Sequence, residues 1–389
     1  MNLMRLLQRI YCSWFMTRFL FFLFTYFIAS HSFAQSMHTD EWKRLVPSEN
    51  MPEDVRFRHA NNNLDVAFYQ GRYYVAVRTA PSHFASKKTR LYIISSPDFE
   101  HWCKEAEFYV KADMREPRFS VFQDKLFFYF FEGGTNMFKF EPKHIWVSIY
   151  DGNAWAEKQK TDLDGFVNWR CRVRDNKMYL SAYYGVNLYN SEHAANLRLF
   201  SSEDGIHFVP ISERPQITTQ GAEEGEFIFD GDGNLWATVR LEGSGSYLCY
   251  APKDSLGQWK KKFSKVKYDS ALLLELDSEI YLVSRRNLKG DATPIENPDK
   301  KQRRKNMVSY SLSRKVTALF RVNKEKMEIE HVMDFPSTGD TAFPGAVQKD
   351  GSSYYLLNYS SDINKKPKNW IRGQLGRTYV YWAVLHGSK

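Results

Sequence analysis

From about residue 60 onward, short apolar and aromatic runs alternate with polar clusters of turn residues, and the alternation has the period of strands rather than helices. The runs come in pairs. Leu64 to Phe68 is followed by Arg72 to Arg78, Phe119 to Phe122 by Lys125 to Phe131, and Leu272 to Leu274 by Ile280 to Arg285. The breaks within pairs are Gln70-Gly71, Gln123-Asp124, Arg174-Asp175-Asn176, Asp230 to Asn234, Asp277-Ser278 and Lys349-Asp350-Gly351, all suited to tight turns. Units built on these pairs start near Asp65, Glu116, Arg170, Glu226, Asp269 and Thr341. Their spacing of roughly 45 to 70 residues is that of propeller blades. No helical periodicity of useful length interrupts them, so the chain is predicted to be all-β, a six-bladed β-propeller with four-stranded antiparallel blades. The sixth unit ends at Tyr379 to Leu385 with no strand after it. Glu41 to Leu45 is therefore expected to supply the missing strand and close the ring, since an open sheet edge invites foreign pairing.

Two further segments stand out. Lys289 to Arg314, rich in Asn, Lys, Arg and Pro, splits the fifth unit and is expected to be either a disordered surface insertion or a lid over the site, directly after Arg285-Arg286. At the other end, Arg5, Arg9 and Arg18, the apolar run Phe19 to Ala29 and the small residues Ser32-Phe33-Ala34 form a processing signal over residues 1–34, with Met16 as an alternative start. The run is short for a membrane span. Export to the periplasm or the extracellular space is expected, without stable membrane insertion after cleavage, and residues 35–389 are expected to form one propeller domain.

Composition narrows the function classes. Aromatic residues make up 16% of the 389, which suits both β-structure and surfaces that stack on sugars. A formal charge of +9 is moderate for this length. The densest basic cluster, Lys300 to Lys305, carries no interleaved aromatics and reads as a solvated loop, so no nucleic-acid partner is expected. Beyond Cys12 in the signal, Cys103, Cys171 and Cys249 lack metal-ligand spacing and an even count for disulfides. No metal or cofactor is expected.

In a propeller, the start of each blade's first strand and the end of its second open on one face. That rule gathers Asp65 and Arg78; Arg115, Glu116 and Arg118; Trp169, Arg170 and Tyr183; Glu224, Glu226, Arg240 and Glu242; Asp269, Ser270, Arg285 and Arg286; and Asp340, Tyr359 and Ser360 around one mouth. Each of the six repeats puts a charge or an aromatic at the equivalent place, and solvated strand ends would not need arginine and carboxylate so consistently. Some of these are expected to be ion pairs that only hold blades together.

A recurring signature supports the same architecture. Ser96-Pro97-Asp98-Phe99-Glu100-His101-Trp102 and Ser202-Glu203-Asp204-Gly205-Ile206-His207-Phe208 share one form, and Asp151-Gly152-Asn153-Ala154-Trp155 repeats its core. Each is read as a hairpin between third and fourth strands, with Asp capping the turn and the aromatic packing between blades. The form resembles the Asp box of the sialidase superfamily, in altered copies. That resemblance implies three arginines gripping a substrate carboxylate, a tyrosine nucleophile assisted by Glu, and an Asp acid/base. Arg58, Arg240 and Arg285 look like the arginines, Glu226 like the partner Glu and Tyr359, in Asn358-Tyr359-Ser360-Ser361, like the nucleophile. Thr79 to Ser86, where the acid/base Asp belongs, has none, which leaves His83 or Asp65 for that role. The resemblance implies an exported glycosidase removing a terminal acidic sugar from a glycan or oligosaccharide. Two alternatives stay open at this stage. One is a glycosidase with two carboxylates drawn from Asp65, Glu116, Glu226, Glu242, Asp269 and Asp340; the other is a glycan-binding propeller without catalysis.

Overall fold

The computed structural model describes residues 37–136, 139–185, 195–290 and 295–387; the predicted processing signal lies outside them. Thr39 to Leu385 form one compact unit. Within it, six antiparallel sheets follow one another along the chain as the blades of a propeller. The inner strands of blades 1 to 6 are Ala60–Tyr69, Met114–Phe122, Phe166–Arg174, Ala222–Phe229, Asp269–Leu276 and Gly345–Asp350. Each hairpins into a second strand through one of the turns expected from the sequence. In blade 4, Asp230 Oδ1 accepts from the backbone of Asp232 at 3.1 Å and Asn234 at 2.8 Å, and Gly233 takes a φ of 85°.

The ring closes as its edge requires. Lys43–Val46 lies antiparallel on the last strand, Thr378–His386, with Lys43 opposite Trp382 and Arg44 opposite Tyr381. The sixth blade thus takes an outer strand from the start of the described chain and three strands from its end, so the two termini of the unit are tied in one sheet.

Hairpins between third and fourth strands share one construction. Asp98 Oδ1 accepts from Glu100 and His101 backbone nitrogens at 2.8 and 2.9 Å, and Asp204 Oδ1 does the same for Ile206 and His207 at 2.8 Å each. The following aromatics wedge between blades. Phe99 stacks on Tyr355 of blade 6 at 4.1 Å, Trp155 of blade 2 meets Tyr74 of blade 1 at 6.5 Å, and Phe208 of blade 3 meets Tyr129 of blade 2 at 6.2 Å. Gly205 shows why the turn residue matters. Its φ is 74°, and an added Cβ would sit 2.5 Å from the Phe127 ring. Gly205→Ala is expected to cost about 2 kcal/mol or more, from strain and clash together, read as a lower urea midpoint at unchanged slope. An unchanged midpoint would show that this wedge does not hold blades 2 and 3 together.

The chain is mostly β, as expected; among the described residues two α-helices, Lys300–Leu312 and the five-residue Trp370–Gln374, join the sheets without having been anticipated. The first occupies the insertion in blade 5 and is capped by Asp299, whose side chain accepts from the Gln302 amide at 2.7 Å. Its buried residues are Asn306 and Tyr310. Four residues apart, they form the seated face, and because neither is aliphatic no apolar stripe marks this helix in the sequence.

Candidate active site

The inner strands of blades 1 to 5 share a departure from regular pairing. In each, the strand holds one residue more than its partner across the same short step: between Asn62 and Leu64, Arg115 and Arg118, Asn168 and Arg170, Glu223 and Gly225, and Asp269 and Leu272. These are β-bulges, and they fall at equivalent heights around the axis. Four of them hold a non-glycine residue in the left-handed region: Asn63 (φ 45°), Glu116 (51°), Glu224 (49°) and Ser270 (51°). All four line one cavity of about 360 Å³. Strained backbone repeated at one height and aimed into one cavity marks a constructed site.

The bulges also sort the charges. Regular alternation would put Glu224 and Glu226 on the same face; the extra residue between Glu223 and Gly225 separates them. Glu224 faces the cavity, holds Arg240 and accepts from the Ser270 amide at 2.6 Å. Glu226 is fully buried beside the axis, where it takes Arg170 Nε at 2.7 Å, Arg172 Nη2 at 3.1 Å and the Leu273 amide at 3.2 Å. In the same way Glu116 lines the cavity, while Arg118 turns away to the Trp169 carbonyl and lies between the rings of Trp169 and Phe343.

Of the expected site residues, the cavity brings together His83, Arg115, Glu116, Glu224, Arg240, Arg285 and Tyr359, with Tyr183 at one side. Others stand behind it. Asp65 accepts from the Phe119 amide at 2.8 Å and faces Arg170 at 3.4 Å, and Arg78 is buried against Asp113 at 2.6 Å. Trp169 packs edge-on to Phe343 at 5.5 Å. Glu242 takes Lys267 at 2.7 Å, and Asp269 is held by Arg240, Lys267 and Arg285 at 3.2, 3.4 and 3.3 Å. Arg58 is exposed and lies outside the cavity lining; its backbone is fixed, the amide on Thr79 Oγ1 at 2.7 Å and the carbonyl by Asn61 Nδ2 at 3.1 Å.

The expected pairing of Tyr359 with Glu226 does not form. The Tyr359 hydroxyl donates to Asp340 Oδ1 at 3.0 Å, and Asp340 Oδ2 lies 2.7 Å from His83 Nδ1. Asp340 is fully buried, and burial alone would raise its pKa; the His83 ring, the Arg285 charge and the Tyr359 hydroxyl nevertheless hold it below the usual carboxylate range. Tyr359 moves the opposite way. Its burial and the neighbouring Asp340 charge push the phenol well above its ordinary value. Glu116 completes the set. Burial, reinforced by the charge of Glu224, raises it to about 7 against the pull of Arg118 and Arg115, while Asn63 Nδ2 approaches its oxygens at 3.3 and 3.4 Å.

The lining also includes residues not singled out from the sequence: Asn63, Asp113, Glu223, Phe343, Trp370 and Gln374 among them. Asp113 binds Arg78 and Arg115 and carries the charge that precedes blade 2. Trp370 and Gln374 arrive on the short helix of blade 6. Gly373 in that helix packs under Asp340 so closely that a Cβ would fall 1.9 Å from the Asp340 nitrogen, a proximity no local pattern reveals.

The chain's sequence matches no family model and no curated protein sequence. Solved structures do match its fold. A protein of unknown function from Dyadobacter fermentans DSM 18053 superposes with a TM-score of 0.65 at 11% identity, over 90% of this chain and 99% of that one. Trypanosoma rangeli sialidase superposes with a TM-score of 0.63 at 12% identity, over 90% of this chain and 60% of that one. Its complex with 2,3-difluorosialic acid, described as a covalent intermediate, gives 0.62 at 12%, over 89% and 59%. The chain thus spans about 60% of the sialidase's length. At these identities the likeness establishes the six-bladed propeller, and the chemistry rests on the residues above.

Proposed function

We propose that this chain is a glycoside hydrolase that removes a terminal acidic sugar from a glycan, with Tyr359 as nucleophile and Glu116 as proton donor. The observation that carries the reading is the juxtaposition in one cavity of a phenol bonded to a buried carboxylate and a carboxyl group raised to about 7. Opposed environments for neighbouring titratable groups are how an acid and its partner are told apart. Tyr359 oxygen attacks the anomeric carbon as its proton passes to Asp340, whose other oxygen is bound to His83. The bond to the leaving oxygen breaks as Glu116 donates its proton there. Water then cleaves the glycosyl–tyrosine bond, with Glu116 as base, and the phenol proton returns from Asp340.

Arg115 and Arg285 line the cavity, and the charge of each acts on Tyr359. They are the cations for a sugar carboxylate in this reading: each keeps one carboxylate partner, Asp113 for Arg115 and Asp269 for Arg285, whereas Arg240 is held by Glu224, Glu242 and Asp269. The structural likeness to a sialidase that is solved with sialic acid supports the choice of an acidic sugar. Action outside the cytoplasm belongs to the same reading and rests on the N-terminal basic and apolar run.

A second reading is favoured by Glu224, which holds a cavity-facing carboxylate on Arg240 and the Ser270 amide and raises Glu116 by its charge. In that reading Glu116 and Glu224 are the acid and nucleophile of a two-carboxylate glycosidase. A screen of aryl glycosides of sialic acid, uronic acids and neutral sugars identifies the cleaved sugar, and two variants then separate the readings. Tyr359→Phe is expected to abolish turnover on that substrate. Full turnover in Tyr359→Phe with none in Glu224→Gln would overturn the tyrosine assignment.

A further inference from the structure

The Lys300–Leu312 helix has two unlike faces. Its inner face is seated beside the cavity. Asn306 Nδ2 donates to the Gly243 carbonyl at 2.8 Å, Arg303 Nη1 to Gln220 Oε1 at 2.9 Å, and the Tyr310 hydroxyl to Asp269, which holds Arg240 and Arg285 of the cavity wall. The Tyr310 ring also meets Trp370, another cavity residue, edge-on at 5.7 Å.

The outer face is a groove along the helix lined by Lys300, Lys301, Arg304, Lys305, Val308 and Ser309. Lys300 and Arg304, and Lys301 and Lys305, are like charges four residues apart, an arrangement that weakens a helix. The acidic residue at this end of the helix is the cap Asp299, whose Oδ1 accepts from the Gln302 amide at 2.7 Å. Lys301, Arg304 and Lys305 are exposed and make no ion pair among the described residues. A chain that keeps self-repelling cations together on a firmly seated helix holds a local conflict that an anionic partner would relieve. The apolar part of this face is confined to Val308 and Leu312, too small a stripe for a helix to embed in a bilayer.

We infer that this helix face is an exosite for a polyanionic glycan, gripping charged units of the polymer outside the cavity that holds its terminal sugar. The inference rests on the hydrolase reading for the terminal sugar, but the binding it describes is measured separately. The probes are fluorescently labelled oligogalacturonate, carrying carboxylates, and a heparin-derived oligosaccharide, carrying sulfates, with dextran as neutral control. Anisotropy is read at about 50 and 300 mM salt. The wild-type chain is expected to bind at least one anionic probe and not dextran. The variant Lys301→Gln/Arg304→Gln/Lys305→Gln is expected to weaken that binding about tenfold and flatten its salt dependence, with aryl-glycoside turnover unchanged. Its side chains point to solvent, and an unchanged melting temperature confirms its fold; Lys305→Gln alone, with a smaller loss in the same direction, serves if the triple variant unfolds.

No binding of either anionic probe, or equal binding by the variants, overturns the inference. So does tighter binding to phosphatidylserine vesicles or duplex DNA that depends on the same side chains. Helix-dependent glycan binding by a chain that cleaves nothing would keep the exosite and discard the hydrolase reading. Aryl-glycoside turnover without helix-dependent binding would do the reverse.

Discussion

Glu116→Gln is expected to lower kcat on the cleaved glycoside by about two to four orders of magnitude, the usual share of a positioned general acid. It is also expected to stabilise the fold at alkaline pH. The sign follows from burial, which raises Glu116 from the ordinary 4.5 to about 7 in the folded chain. Below about pH 4.5 the group is protonated in both states, and the folded chain bears no penalty for it. As pH rises through that window the unfolded chain ionises first, and above about 7 the folded chain carries the full cost of a buried charge, about 3 kcal/mol. Glutamine has no charge to bury. The melting temperature of Glu116→Gln should therefore exceed that of the wild type at pH 8 and match it at pH 4, while the limb of the pH–rate profile near 7 disappears. Equal melting temperatures at pH 8 would show that Glu116 is not held in the uncharged form.

Glu226→Ala is expected to have the largest effect on stability, about 3–5 kcal/mol, because it leaves Arg172 without a carboxylate and Arg170 with only Asp65, at 3.4 Å. The loss should appear in the urea midpoint. This outcome separates a keystone of the central ring from a catalytic base. Were Glu226 the base for Tyr359, Glu226→Gln would cut turnover at unchanged stability; the geometry calls for reduced stability instead, since Gln cannot balance two guanidinium charges.

These two residues also show how far the sequence carries. Blade number, strand pairs, turns and ring closure were legible, because a period of two and turn chemistry are local properties repeated six times. The Lys300–Leu312 helix was not, because the residues it buries, Asn306 and Tyr310, leave no apolar stripe. At the site, the rule placing charges at one mouth named Glu116, Glu224, Arg240, Arg285, Arg115 and Tyr359, which line the cavity, and His83, named from the loop without an Asp, lines it too. It could not say that Glu224 and Glu226 part company, since one extra residue in a strand reverses the facing of every residue beyond it and leaves no mark in composition. Arg58, likened to the first arginine from its place just before blade 1, does precede the Ala60–Tyr69 strand but is exposed and outside the cavity lining. Asp340 was counted among many charges at the mouth; its bonds to Tyr359 and His83 join blade 6 to the loop after blade 1's second strand, residues 257 positions apart in the case of His83.

The account's central claim is that Tyr359 becomes covalently bonded to sugar while Glu116 supplies the proton. It is tested most directly by trapping. Once the aryl-glycoside screen has identified the sugar, its fluorinated glycosyl fluoride, which slows breakdown of the intermediate more than its formation, is incubated with the wild-type chain, and the labelled peptide is sequenced by mass spectrometry. The account predicts one glycosyl increment on the peptide containing Tyr359, absent in Tyr359→Phe. An increment on Glu224, or steady turnover with no adduct on any residue, would contradict it.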